Sequence, residues 1–109
     1  TPEDMWKSLE KLKQLPDDIM IYSGHEYTKS NIEFALTVDP QNEILKARLI
    51  KELEKLRKGL PTVPSTLREE LDTNPFLRES ENSILDQMDM VNLDPISRFA
   101  KIRALKDNF

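Results

Sequence analysis

Seven prolines limit what this chain can fold into. A proline fixes its own φ, donates no backbone hydrogen bond and pushes the residue before it out of helical space. It is tolerated at the first position of a helix, and Thr1-Pro2, Asp39-Pro40 and Asp94-Pro95 all read as a capping residue followed by that position. Pro16, Pro61, Pro64 and Pro75 read as interruptions. The chain is therefore cut into short segments, and hydrophobic spacing decides what each one is.

Most of the segments are helical. Met5, Leu9, Leu12 and Leu15, or Trp6 with Leu9 and Leu12, line one face of a first helix. Asp4 follows Thr1 as a short-armed capping box, and Pro16 stops the helix. Ile19 to Tyr22 reads as a short strand buried on both faces. A second helix runs from about Thr28 through Ile32, Ala35 and Leu36 to near Val38. The longest starts at Asp39-Pro40 and reaches about Lys58, with Leu45, Leu49, Leu53 and Leu56 as its buried stripe. Its charged face pairs Glu54 with Lys58 and reads as solvated, and Gly59 supplies the C-cap. Leu60 to Ser65 is an extended linker, and Thr66 with Glu69 caps a short helix through Leu71. After the break at Pro75 come a weaker helix, from about Asn82 to Met90, and a last one from Pro95 to about Lys106. The fold class is mainly α with a single strand. A lone strand leaves backbone donors and acceptors unpaired, so its partner is expected from outside this sequence or from another copy of it.

Composition narrows the function. Of 109 residues, 38% are hydrophobic and 33% charged, which suits one small domain with a thin core. A net charge of −4 argues against a general nucleic-acid binder. No apolar run approaches the roughly eighteen residues a membrane span needs, so no membrane partner is expected. The opening TPEDMWKSLE has neither the basic start nor the apolar middle of a signal peptide, and its first residue is not Met, which suggests a processed or cut piece. The absence of cysteine fits a reducing compartment.

The polar groups that could carry chemistry are few. His25, the only histidine, stands in YSGHEYT where the strand runs out. An imidazole at a strand end can be a general base or a metal ligand, but one histidine is no metal site, and composition alone favours a capping or hydrogen-bonded role near a turn. Tyr27 can donate to a ligand or simply pack. Arg103 and Lys106 stand three apart on the last helix, a spacing that suits a carboxylate or phosphate, although cations near a helix C-terminus are also favoured by the macrodipole. Asp17, Asp18 and Glu26 have no evident partner in the sequence.

Taken in order, GHEYT, then SN and FAL, VPSTLREELDTNPFLR, and the terminal R-x-x-KDNF resemble the C-terminal part of glyoxalase II, the hydroxyacylglutathione hydrolases. The likeness runs from Met5-Trp6 to Phe109. It implies a metallo-β-lactamase-type αββα sandwich followed by a helical domain. Residues 1–26 would be the truncated C-terminal edge of the sandwich and residues 27–109 the helical glutathione-binding domain. The implied reaction is hydrolysis of the thioester of S-D-lactoylglutathione to D-lactate and glutathione. The implied cofactor is a pair of divalent metal ions, zinc or mixtures with iron or manganese, that hold the attacking hydroxide and stabilise the oxyanion. By the same resemblance His25 is a ligand to one metal, Tyr27 touches glutathione, and Arg103 with Lys106 holds its glycine carboxylate. The family's Thr-His-x-His-x-Asp-His run, its further histidine and its bridging aspartate do not occur in this sequence. This polypeptide alone is therefore expected to be catalytically silent, with an N-terminal metal-binding part, in the same or a separate chain, as its partner. The cytoplasm is the expected compartment, with mitochondria as the alternative. A non-catalytic helical interaction module derived from the same family is the competing reading.

Overall fold

The computed structural model describes residues 1–22, 28–62 and 64–109. Among them are six α-helices and a two-stranded antiparallel ribbon, so the mainly α class is what the chain adopts. The helices are α1 (Pro2–Leu12), α2 (Thr28–Val38), α3 (Glu43–Arg57), α4 (Leu67–Thr73), α5 (Asn82–Met88) and α6 (Pro95–Asp107), with a 3₁₀ turn at Pro75–Leu77. The strands are β1 (Met20–Ile21) and β2 (Ser65–Thr66).

The strand is not alone in the chain, contrary to the reading of a single strand. β1 pairs with β2 of the same chain, Met20 opposite Thr66 and Ile21 opposite Ser65. The pairing extends into the next helix: Leu67 N donates to Ile19 O at 2.8 Å and Arg68 N to Asp17 O at 2.9 Å. Those amides would otherwise be orphans of the first turn of α4, so one contact satisfies a strand end and a helix start together. The Arg68 guanidinium lies between Asp72 and Asp17, which raise its pKa in that order, and Asp17 thereby gains the partner its sequence context did not reveal. Nor is the strand buried on both faces. Met20 is exposed and Ile21 half-buried, because helices cover neither face completely.

Two core clusters hold the helices. Phe34 and Val38 of α2 pack with Ile84, Leu85, Met90 and Ile102, while Ile32 and Ala35 meet Leu45 of α3. The longest helix departs from expectation in its start and in its buried face. It starts at Glu43 behind Asn42, whose Oδ1 accepts from Leu45 N at 3.1 Å, and not behind Asp39. Asp39 is only 2% exposed and its carboxylate is already taken. It accepts from Ser83 Oγ at 2.8 Å, Asn42 Nδ2 at 3.0 Å and Arg78 Nη2 at 3.2 Å, tying the end of α2 to the start of α5. The buried face of α3 is also rotated. Leu53 and Leu56 are exposed, and the inward positions are Leu45, Arg48, Leu49 and Glu52. A buried arginine and glutamate share this face because α4 packs against it and brings carboxylates for Arg48.

The helix ends otherwise follow the local chemistry. Gly59 closes α3 at φ 72°, with Leu60 N donating to Lys55 O and Gly59 N to Leu56 O, a Schellman motif. Asp94 caps α6 by accepting from Ser97 N at 2.8 Å. Among the described residues no helix is long and apolar enough to cross a membrane.

Candidate functional site

Where β1, α2, α4 and the end of α6 meet, they enclose a cleft of about 160 Å³. Ile21 and Thr28, which flank the YSGHEY stretch, both line it. Thr28 is fixed there by a buried hydrogen bond from Thr62 Oγ1 at 2.8 Å, which ties the linker after α3 to the first turn of α2. His25 and Tyr27, the expected metal ligand and glutathione contact, lie outside the described residues.

The polar floor of the cleft centres on Glu70. Its Oε2 accepts from Arg48 Nη1 at 2.7 Å and Ser65 Oγ at 2.9 Å, and its Oε1 from Asn74 Nδ2 at 3.1 Å. Arg48 Nη1 also donates to Thr73 Oγ1 at 2.7 Å. The pair is largely out of water, with Arg48 10% and Glu70 15% exposed at the side chain. Behind it Glu69 and Glu52 each lie 3.9 Å from Arg48 Nε. Burial pushes the Glu69 carboxyl up, but Lys51 and Arg48 outweigh it and leave the group below its ordinary range. The Arg48–Glu70 charge is thus neutralised within the floor, which braces the cleft and leaves no spare cation for a ligand.

Among the described residues, the cation available to a ligand is at the mouth. Lys106 lines the cleft, and its Nζ sits 5.9 Å from the ring centroids of both Phe34 and Phe109. Among the described residues neither Lys106 nor Arg103 has a carboxylate within 4.0 Å. The two expected anion-binding residues are not brought together in the same way. Arg103 is half-buried against α1, its Nη1 3.8 Å from Met5 Sδ, and is not among the residues lining the cleft. A ligand reaching both would have to span from the cleft mouth toward α1.

Sequence reasoning missed the aromatic array behind Lys106. The protein has four phenylalanines, and all of them join in one chain of ring contacts: Phe99 to Phe76 at 5.5 Å, Phe76 to Phe34 at 6.3 Å and Phe34 to Phe109 at 5.5 Å. The one local signal was Phe109, three residues after Lys106 and just past the end of the last helix. The Arg48–Glu70 pair was missed because its members stand 22 residues apart on different helices.

Residues 26–109 match the family model described as hydroxyacylglutathione hydrolase C-terminus. The chain belongs to that family. It is 51% identical over 109 residues to the hydroxyacylglutathione hydrolase of Ruegeria pomeroyi, covering 100% of this chain and 43% of that protein. Similar relatives are the hydroxyacylglutathione hydrolases of Jannaschia sp., 50% identical with 100% and 43% covered, and of Rhizobium etli, 53% identical with 97% and 41% covered. The chain thus spans about two-fifths of the length of these hydroxyacylglutathione hydrolases and corresponds to their C-terminal part.

The described residues do not by themselves fit a resident metal: no group of three or more His, Cys, Asp or Glu side chains among them is arranged to hold one.

Proposed function

We propose that this chain is the glutathione-binding portion of a hydroxyacylglutathione hydrolase, which splits the thioester of S-D-lactoylglutathione into D-lactate and glutathione. The reading is carried by Lys106, a cation with no carboxylate partner among the described residues, held at the mouth of a cleft whose rim includes Thr28 of the GHEYT motif. Its ammonium would meet the glycine carboxylate of glutathione in a charge-assisted contact, with Arg103 as the second donor from the same helix. Tyr27 would add a contact to the peptide.

Residues 1–26 are proposed as the closing edge of a metallo-β-lactamase-type sandwich and residues 27–109 as the helical domain. The edge reading is supported by α1, which has no fully buried residue, and by exposed Met20 and Tyr22. The metal pair, zinc or zinc with iron or manganese, is assigned to the complete protein, with His25 as one ligand and the rest from the portion of the relatives that this chain does not span. What this chain contributes is the binding and orientation of the glutathione half.

Steady-state hydrolysis of S-D-lactoylglutathione by the complete protein tests the reading. Losing one charged contact of this kind removes about 1.5–3 kcal/mol, so Lys106→Ala should raise KM roughly tenfold or more. The loss should be smaller at high ionic strength, where the parent contact is itself screened. An unchanged KM in Lys106→Ala would overturn it.

A further inference from the structure

We propose that Phe109, together with Phe34, is a positioning residue for the substrate site: the two rings hold the Lys106 ammonium at the cleft mouth. This rests on the reading of Lys106 as a carboxylate-binding residue and adds what keeps it in place.

A lysine ammonium sits on a flexible four-carbon stem, and holding it in one direction costs rotamer entropy. Lys106 is a half-buried residue with no anion among the described residues to fix it. What lies around it is aromatic. Its Nζ is 5.9 Å from the Phe34 centroid and 5.9 Å from the Phe109 centroid, within the range at which a ring face attracts a cation. The rings are mutually fixed, 5.5 Å apart and inclined at 65° in an edge-to-face contact. Phe34 is packed in the core, 2% exposed and stacked on Phe76. Phe109 is brought back over α6 by the helix end itself. Phe109 N donates to Lys106 O at 3.1 Å, and Asn108 Nδ2 to Ala104 O at 2.9 Å. The last turn thus folds its aromatic residue onto the lysine three positions earlier. An ammonium held by ring faces keeps its charge uncompensated, as an ion pair would not, and remains able to take a carboxylate.

Phe109 is the residue to change, because it is 58% exposed and its loss leaves the core closed, whereas Phe34 is a core residue. The experiment uses the complete protein, loaded with its metals, as parent, Phe109→Leu, Phe109→Tyr and Lys106→Ala. Two readouts are taken: kcat and KM for S-D-lactoylglutathione, and the carbon-13 and proton shifts of the Lys106 ε-methylene by NMR. The expected result is a ring-current upfield shift of that methylene in the parent, reduced in Phe109→Leu and kept in Phe109→Tyr. KM should rise roughly three- to tenfold in Phe109→Leu, with kcat changed less, and return in Phe109→Tyr. A merely structural role of Phe109 would leave the Lys106 methylene shift of Phe109→Leu equal to that of the parent. No upfield shift in the parent, or a shift unaffected by Phe109→Leu, overturns the proposal. So does a KM that rises in Lys106→Ala but not in Phe109→Leu, an outcome that leaves the reading of Lys106 standing. A KM unchanged in Lys106→Ala defeats that reading and, with it, this proposal.

Discussion

Glu70 illustrates what a single residue does for this cleft. Its carboxylate takes hydrogen bonds from Arg48, Ser65 and Asn74, which come from α3, β2 and the end of α4. Removing it would leave Arg48, 10% exposed, as a buried cation without its closest counter-charge. Breaking a buried pair in this way costs about 3–5 kcal/mol, a large part of the roughly 5–15 kcal/mol that holds a small domain folded. Glu70→Ala should therefore lower the urea midpoint sharply. Glu70→Gln, which keeps an acceptor for Arg48, should lose less. Equal losses would mean that packing, not the ion pair, matters at this position. Legibility at this scale depended on distance along the chain. Lys106 was found from its spacing to Arg103 on one helix, yet only Lys106 reaches the cleft. Glu70 and Arg48 gave no signal, since a pair formed across two helices has no sequence period to betray it.

At the level of elements, caps were the most readable features, because a cap is a contact between neighbours in sequence. The Schellman end at Gly59 and the Thr66 and Asp94 caps all form where their residue types indicate. Asp39-Pro40 failed as a cap for a non-local reason: Arg78 and Ser83 already occupy its carboxylate. The partner of β1 was hidden because β2 is two polar residues behind Pro64, with no apolar alternation to mark a strand. The Asp94 cap has a pH signature. The Ser97 amide and then its hydroxyl donate to the carboxylate and hold its pKa below the ordinary aspartate value. A depressed folded pKa means that the contribution to stability is complete above the unfolded value of about 4 and is lost as pH falls through the lower folded value. Thermal melts of parent and Asp94→Ala should differ near neutrality, the variant melting lower, and converge in part in strong acid, where the protonated carboxyl keeps only a neutral capping oxygen. Asp94→Asn keeps a neutral capping oxygen and should not show that convergence. A gap between parent and Asp94→Ala that stays constant into acid would exclude the ionised cap.

Across the whole molecule, one junction stands apart from the rest. Helices α2, α3, α5 and α6 share two apolar clusters and α4 buries Leu67, whereas α1 contributes no fully buried residue. Helix α1 packs on α6 and the 3₁₀ turn, and its polar anchor there is Glu79, a carboxylate just beyond that turn and only 3% exposed. Glu79 accepts from Trp6 Nε1 at 3.1 Å and pairs with Lys13 at 3.4 Å, so the middle and the C-terminal end of the helix are held by one buried anion. A charge-assisted hydrogen bond of this kind contributes about 1.5–3 kcal/mol, and an amphipathic helix as short as α1 is marginal without tertiary support. Local opening should therefore be governed here by a polar contact and elsewhere by the core. Glu79→Ala should speed amide exchange along α1 while leaving the slow amides of α2 and α6 nearly unchanged. Trp6 is the only tryptophan, so its emission reports the same event and should shift to the red. The consequence reaches the proposed site, because Met5 of α1 is what Arg103 rests against. Freed from α1, Arg103 should hold a carboxylate less well, and KM in the complete protein should rise with the exchange rate. Exchange that accelerated uniformly through all the helices would show instead that α1 belongs to the cooperative core, and that its lack of buried side chains is no measure of how firmly it is held.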